Sequence, residues 1–125
     1  MVDPLEMTIT GIDHVQVAAP PGCEDRARAF YGGLLELPEI AKPEALSARG
    51  GCWFRAGAQE LHVGVEDPFS PARKAQPGRV AAGLDELAAR LAAAGIDVAW
   101  DDAIPGARRF HAADPFGNRL EFREL

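Results

Sequence analysis

The sequence predicts an α+β fold built from two similar halves, each with the order strand, helix and three strands. Short segments with alternating apolar residues, typical of half-buried strands, recur along all 125 residues. Two segments with apolar residues at helical spacing interrupt them, one in each half. The two halves repeat with a period of about 60 residues, and this repeat is more informative than the assignment of any single element.

The first half begins with a strand predicted at Ile12–Ala18, where alternation puts Val15 and Val17 on one face and His14 on the other. The segment "CEDRARAFYGGLLEL", residues 23–37, has its apolar residues at helical spacing and predicts the first helix. Three extended segments follow and predict strands: "EIAKPEAL", "GCWFRAG" and "ELHVGVE".

The second half follows "DPFSPARKAQPG", whose prolines and charges predict a linker. "RVAAG" predicts a strand, and "LDELAARLAAAG" predicts a helix that Gly95 ends. Three more strands are predicted at "IDVAW", "RRFHAA" and "RLEFREL". Module one is therefore expected at about 8–67, the linker at about 68–75 and module two at about 76–125 of a single domain.

Composition excludes several classes of function. The formal net charge of −6 argues against nucleic acid as a partner, since phosphates attract a basic face. No apolar run is long enough for a transmembrane helix, and "MVDPLEMTIT" lacks the regions of a signal peptide. Two cysteines are too few for a disulfide framework. We expect a reduced, cytoplasmic protein without a membrane partner.

Superposing the two halves brings out four candidate ligands. When "WFRAGAQELHV" is laid over "RFHAADPFGNRLEF", His62 falls opposite Glu121, and Gln76 falls near the place of His14. His14, His62 and Glu121 each interrupt an apolar alternation on the same side of their strand. Two imidazoles and one carboxylate suit Fe(II), Mn, Co, Ni or Zn. The alternative is that both histidines are core residues, Glu121 faces solvent and Gln76 is inert.

The remaining polar and aromatic residues carry weaker expectations. His111 is expected at the surface or at a pocket rim, and the arginines are expected in solvent, although one could meet an anionic substrate. The aromatic residues are expected in the core or in a pocket wall, and the cysteines are expected to be inert. These residues are Arg55, Arg108 and Arg109; Trp53, Phe54 and Phe110; Cys23 and Cys52.

Four motifs resemble the glyoxalase/bleomycin-resistance/dioxygenase family of the vicinal oxygen chelate superfamily. They are "DHVQVA", "ARAFYGGLLEL", "ELHVGVE" and above all "DPFGNRLEF". The resemblance covers nearly the whole chain. It implies two βαβββ modules whose mixed sheets form a cup around a divalent metal, with helices outside. It also implies that the metal chelates two adjacent oxygens of a small-molecule substrate.

The resemblance implies roles for individual residues. His14, His62 and Glu121 match the family's ligand positions, and Glu121 could also leave the metal and act as a catalytic base. Gln76, in "KAQPG", departs from relatives that carry histidine there. A glutamine oxygen is neutral and binds Zn or Ni more weakly than imidazole does.

Two functions follow as hypotheses. The first is a metal-dependent lyase, isomerase or dioxygenase that acts on a small oxygenated molecule. The second is a metal-free module that binds a small molecule or drug between Trp53 and Phe110, with His14 in the pocket wall. Gln76 favours the second function, and the three matched ligand positions favour the first. In relatives of this length the site is built at a subunit interface, so we expect a homodimer.

Overall fold

In the computed structural model, which describes residues 8–124, the chain forms two tandem βαβββ modules. The strands of module one are β1 (His14–Ala19), β2 (Glu39–Ile40), β3 (Cys52–Ala56) and β4 (Gln59–Val65). Those of module two are β5 (Gly78–Val80), β6 (Ala99–Trp100), β7 (Arg109–Ala113) and β8 (Arg119–Arg123). Each set forms one mixed sheet, in the order β1-β4-β3-β2 and β5-β8-β7-β6. The predicted α+β class and the tandem order of elements are confirmed.

Within residues 8–124, each module has one α-helix. Helix α1 (Glu24–Ala27) continues with wider turns through Leu34, where the Leu35 N–H donates to the Phe30 carbonyl. Gly32 and Gly33 lie in this wider part. Helix α2 (Leu84–Ala93) is regular and ends before Gly95, as predicted. No helix within residues 8–124 is long and apolar enough to cross a membrane.

The predicted strand over "EIAKPEAL" is mostly wrong. Only Glu39–Ile40 pairs with β3, and Glu44–Arg49 forms a 3₁₀ helix that begins directly after Pro43. Proline has no backbone N–H to donate to a neighbouring strand, so pairing cannot continue through it. The 3₁₀ helix instead carries the chain across the sheet to β3.

The two faces of each sheet differ in character, as alternation predicts. One face carries apolar side chains that pack with the helices in one shared core. In module one these include Phe54, Leu61 and Val63, and in module two Phe110, Leu120 and Phe122. The opposite face, which we call the polar face, carries His14 and His62 in sheet one and His111 and Glu121 in sheet two.

Gly51 lets the backbone at the start of β3 lie close against the backbone of β4. Gly51 has φ +83°, and a Cβ atom there would lie 2.0 Å from the Val63 carbonyl oxygen. We expect Gly51→Ala to lower the free energy of unfolding by more than about 2 kcal/mol, since it adds a backbone clash to a left-handed conformation. Gly57 is the matched control, since it has φ +63° but open space around its Cα. Gly57→Ala should cost only about 1 kcal/mol. Equal losses in urea unfolding followed by circular dichroism would contradict the clash.

Candidate functional site

His14 and His62 lie side by side on the polar face of sheet one. Gln16 of β1 pairs with His62 of the parallel strand β4, so His14 is the diagonal neighbour of His62. Their ring centroids are 4.2 Å apart and the rings are nearly parallel, at 15°. His62 is buried, whereas the His14 side chain is 46% exposed. The two histidines predicted to act together are therefore in contact.

A carboxylate holds one nitrogen of each imidazole ring. Asp13 Oδ2 lies 2.9 Å from His14 Nδ1, and Glu60 Oε1 lies 2.9 Å from His62 Nε2. On its other face His62 stacks on Trp53, with ring centroids 3.7 Å apart and planes 2° apart. Carboxylates that hold a ring nitrogen fix the orientation of histidines in metal sites. Neither Asp13 nor Glu60 was predicted, although Glu60 shares the face of His62 by simple alternation.

Glu121 lies in a half-buried charge network on the polar face of sheet two. Its Oε1 atom accepts a hydrogen bond of 2.6 Å from Nη1 of Arg109, whose Nη2 lies 3.1 Å from Asp101 Oδ2. The hydrogen bond to Glu121, together with the charges of both carboxylates, raises the pKa of Arg109 above its usual value. The expectation of a solvated Arg109 is wrong, because its side chain is only 11% exposed. Asp101 directly follows β6, the paired end of the strand predicted at "IDVAW", and nothing in the sequence singles it out.

Gln76 lies just before the first strand of module two. It lies two residues before Gly78, which pairs with Glu121 in the parallel strand β8. Its Oε1 atom is buried and accepts no hydrogen bond from the described residues. Gln76 lines a cavity of about 600 Å³, together with Gln16 and Arg119. A buried oxygen without a donor is costly, so it marks a place where a ligand or water would be bound.

Strand pairing confirms the predicted superposition of the two modules. In sheet one, His14 lies two residues before the residue that pairs with His62. In sheet two, Gln76 likewise lies two residues before the residue that pairs with Glu121. Each module therefore presents one pair of candidate donors at the same place of its sheet.

The two histidines of sheet one and Glu121 of sheet two do not form one metal site within residues 8–124. Within residues 8–124, no three side chains of His, Cys, Asp or Glu lie close enough together to hold a metal ion. The contacts join His14 to His62 and join Glu121 to Arg109.

Two other sequence expectations need correction. His111 is 8% exposed rather than at a surface, and its Nδ1 atom lies 3.7 Å from Asp101 Oδ2. It is buried because it faces Glu121 across β7 and β8, a contact that only the sheet creates. Phe110 is fully buried and stacks on Phe122 in the core, so it cannot form a pocket wall opposite Trp53.

Both cysteines are reduced and buried. Burial raises the pKa of the Cys52 thiol to about 11, and burial together with the Glu24 carboxylate raises the pKa of Cys23. A thiol in such surroundings stays protonated at neutral pH and is a poor nucleophile. This agrees with the expectation that both cysteines are inert.

The fold has counterparts among solved structures. A glyoxalase family protein from Bacillus anthracis is 54% identical and superposes with a TM-score of 0.92, covering 95% of this chain and 98% of that chain. A lactoylglutathione lyase from Agrobacterium tumefaciens is 22% identical, with a TM-score of 0.70 over 94% of this chain and 96% of that chain. The fosfomycin resistance protein FosX from Listeria monocytogenes is 15% identical, with a TM-score of 0.76 over 94% of this chain and 95% of that chain.

Searches with family models and against curated proteins find no match. The identity to the B. anthracis protein, over nearly the full length of both chains, defines the class. The chain belongs to the glyoxalase family of the vicinal oxygen chelate superfamily. The predicted resemblance is confirmed. The two more distant structures share the fold alone.

Proposed function

We propose that the protein is a metal-dependent enzyme that chelates two adjacent oxygens of a small molecule, with its site assembled between two copies of the chain. His14 and His62 of one copy and Gln76 and Glu121 of the other would hold the ion. The observation that carries this proposal is the pair of matched half-sites. Each module presents two donors at the same place of its sheet, yet within residues 8–124 His14, His62 and Glu121 of one chain do not come together as a site for an ion.

The chemistry of the donors supports a divalent transition metal. Two imidazole nitrogens and two oxygens suit Mn, Fe, Co, Ni or Zn. The carboxylates of Asp13 and Glu60 hold the imidazoles, and Gln76 Oε1 has an open acceptor position. When bound, such a metal polarises a substrate oxygen. Glu121 is the group of the chain proposed to take the substrate proton, and a separate nucleophile is not required.

The free edges of the two sheets support a homodimer. β1 and β5 each lie at the edge of their sheet, and unpaired backbone groups along an edge invite a partner. On β1 one carbonyl, that of Ala18, already accepts a hydrogen bond from Asn118 Nδ2 of the same chain. Ile12 is 66% exposed, Val15 on β1 is 40% exposed and Val80 on β5 is 59% exposed. A second copy that covers these residues would also bring together complementary half-sites.

Mixing two variants tests both parts of the proposal. His14→Ala and Glu121→Ala should each lose most of the bound metal. After the two are unfolded and refolded together, half of the dimers should be mixed, and each mixed dimer should have one intact site. About a quarter of the wild-type metal content should therefore return, as measured by elemental analysis. His111→Ala is the control, because it removes a histidine outside the proposed donor set. This variant should bind as much metal as the wild type.

The outcomes separate the parts of the proposal. If both single variants lose metal but the mixture recovers none, all the ligands come from one chain. If wild type and both variants hold equal metal after reconstitution, the metal site itself is refuted. Sedimentation that shows only a monomer at micromolar concentration would exclude the shared site.

A second function, a metal-free module that binds a small molecule, is favoured by one specific observation. Arg109 already supplies a cation to Glu121, at 2.6 Å. A guanidinium in this place satisfies the carboxylate without a metal. Absence of metal from wild-type protein purified without a histidine tag, and after reconstitution, would move this function ahead.

A further inference from the structure

A second cavity, of about 220 Å³, lies on the polar face of sheet one. Gln16, Trp53 and Gly64 line it from three neighbouring strands of that sheet. We call it the Trp53 cavity. It adjoins the candidate donor pair, because Trp53 stacks on His62. Nothing in the proposed metal site accounts for it.

The other side of the Trp53 cavity is formed by the segment that carries the 3₁₀ helix. Lys42, Leu46 and Arg49 of this segment line the cavity. The segment is fixed to the module, since the Gly51 N–H donates to Glu24 Oε2 at 2.7 Å. The Lys42 ammonium donates to the Gly50 carbonyl. Lys42 and Arg49 therefore lie on a segment that hydrogen bonds fix to the rest of the module.

The walls of the cavity combine a flat apolar surface with positive charge. Trp53 supplies an aromatic plane, and the missing side chain of Gly64 leaves room for Gln16, whose Cδ atom would lie 2.9 Å from a Cβ there. Within residues 8–124, neither Lys42 nor Arg49 forms an ion pair with a carboxylate. By contrast, Arg109 on the other sheet contacts two carboxylates.

We propose that the Trp53 cavity binds the oxyanion group of a small organic anion, a carboxylate or phosphonate borne on a flat apolar body, through Lys42 and Arg49. Arginine and lysine are the usual partners of such groups, and an aromatic plane suits a flat body. The inference builds on the proposed function, because it names the substrate class for the same site. It also gives the chain the basic pocket that the sequence alone did not reveal.

The test uses the intrinsic fluorescence of Trp53. The chain has two tryptophans, so Trp100→Phe leaves Trp53 as the only one. This protein, full length and treated with a chelator, is titrated with benzoate, phenylphosphonate and neutral benzamide. Chelation separates the result from metal binding, so the anion site can be supported or refuted whether or not the metal site is real. We expect saturable binding of at least one anion, at least about 10-fold tighter than that of benzamide.

Charge variants in the same background locate the anion. Arg49→Gln and Lys42→Gln should each weaken binding of the anion by about 10-fold and leave benzamide unchanged. Arg49 is exposed and makes no side-chain hydrogen bond within residues 8–124, so its replacement should not disturb folding. Lys74→Gln is the matched control, since it removes an exposed positive charge in the linker. Whichever anion binds more tightly identifies the oxyanion group.

Three results would overturn the inference. The first is no saturable binding of either anion up to concentrations on the order of 10 mM. The second is benzamide binding as tight as that of both anions. The third is unchanged anion binding in both Arg49→Gln and Lys42→Gln.

Discussion

Replacing Asp114 with alanine is expected to lower the free energy of unfolding by about 4 kcal/mol, because it leaves several buried donors without an acceptor. Asp114 is 5% exposed. Its carboxylate accepts a 2.7 Å hydrogen bond from the Tyr31 hydroxyl and three of 2.9 Å from Phe116 N and from Asn118 N and Nδ2. These bonds form the turn before β8 and join module two to the helical turns that follow α1 in module one.

The surroundings of Tyr31 show how closely the two modules depend on this contact. Burial raises the pKa of Tyr31 well above its usual value, and the charge of Asp114 raises it further. The guanidinium of Arg79 lies over the Tyr31 ring, 5.6 Å from its centroid, and burial lowers the pKa of that guanidinium. Asp114→Ala therefore also leaves the buried Arg79 without a nearby negative charge, which adds to the loss.

Urea unfolding of the wild type, Asp114→Ala and Asp114→Asn, followed by circular dichroism, measures the effect. Asparagine keeps one oxygen for the two turn N–H groups, so we expect Asp114→Asn to lose less than Asp114→Ala. Asp102 is exposed in the loop after β6, and Asp102→Ala is the control, expected within about 0.5 kcal/mol of the wild type. A loss below about 1 kcal/mol for Asp114→Ala would show that the modules do not depend on this carboxylate.

Asp114 also marks how far sequence reasoning reaches. The "DPFGN" pattern predicts a turn, because its residue types act locally, and the turn is present. The partner Tyr31 lies 83 residues away in sequence, so no local pattern could predict their bond. Alternation puts His14 and His62 on the polar side of their strands, and the pairing of β1 with β4 then brings their rings into contact.

Long-range contacts account for the residues whose burial was predicted wrongly. Arg109 and His111 look like exposed residues in "RRFHAA", yet Arg109 is half-buried and His111 is buried, because Asp101 and Glu121 face them across the sheet. The Trp53 cavity depends on a 3₁₀ helix that the sequence suggested as a strand. Sequence patterns predict which face a side chain is on, but not which charges will meet there.

Replacing Gln76 with histidine is expected to raise the affinity for Zn or Ni by about 10-fold to 1000-fold, roughly 1.4 to 4 kcal/mol. An imidazole nitrogen is a better ligand for these ions than an amide oxygen. The amide oxygen of Gln76 is buried without a donor, so the new ring would replace a group that is not otherwise satisfied. Titration of Zn into both proteins after chelator treatment measures the change. Gln59→His, on an exposed glutamine of β4, is the control and should bind as wild type does.

Gln76→His could leave the Zn affinity unchanged because Arg109 still occupies Glu121. Arg109 holds Glu121 at 2.6 Å and must release it before a metal can bind there. Adding Arg109→Gln to Gln76→His should therefore raise Zn affinity above that of the single variant, because it removes the competing cation. If the double variant binds more tightly and Gln76→His alone does not, Arg109 limits the site. If neither variant binds Zn more tightly than the wild type, Gln76 and Glu121 do not share a metal, and the metal-free function is favoured.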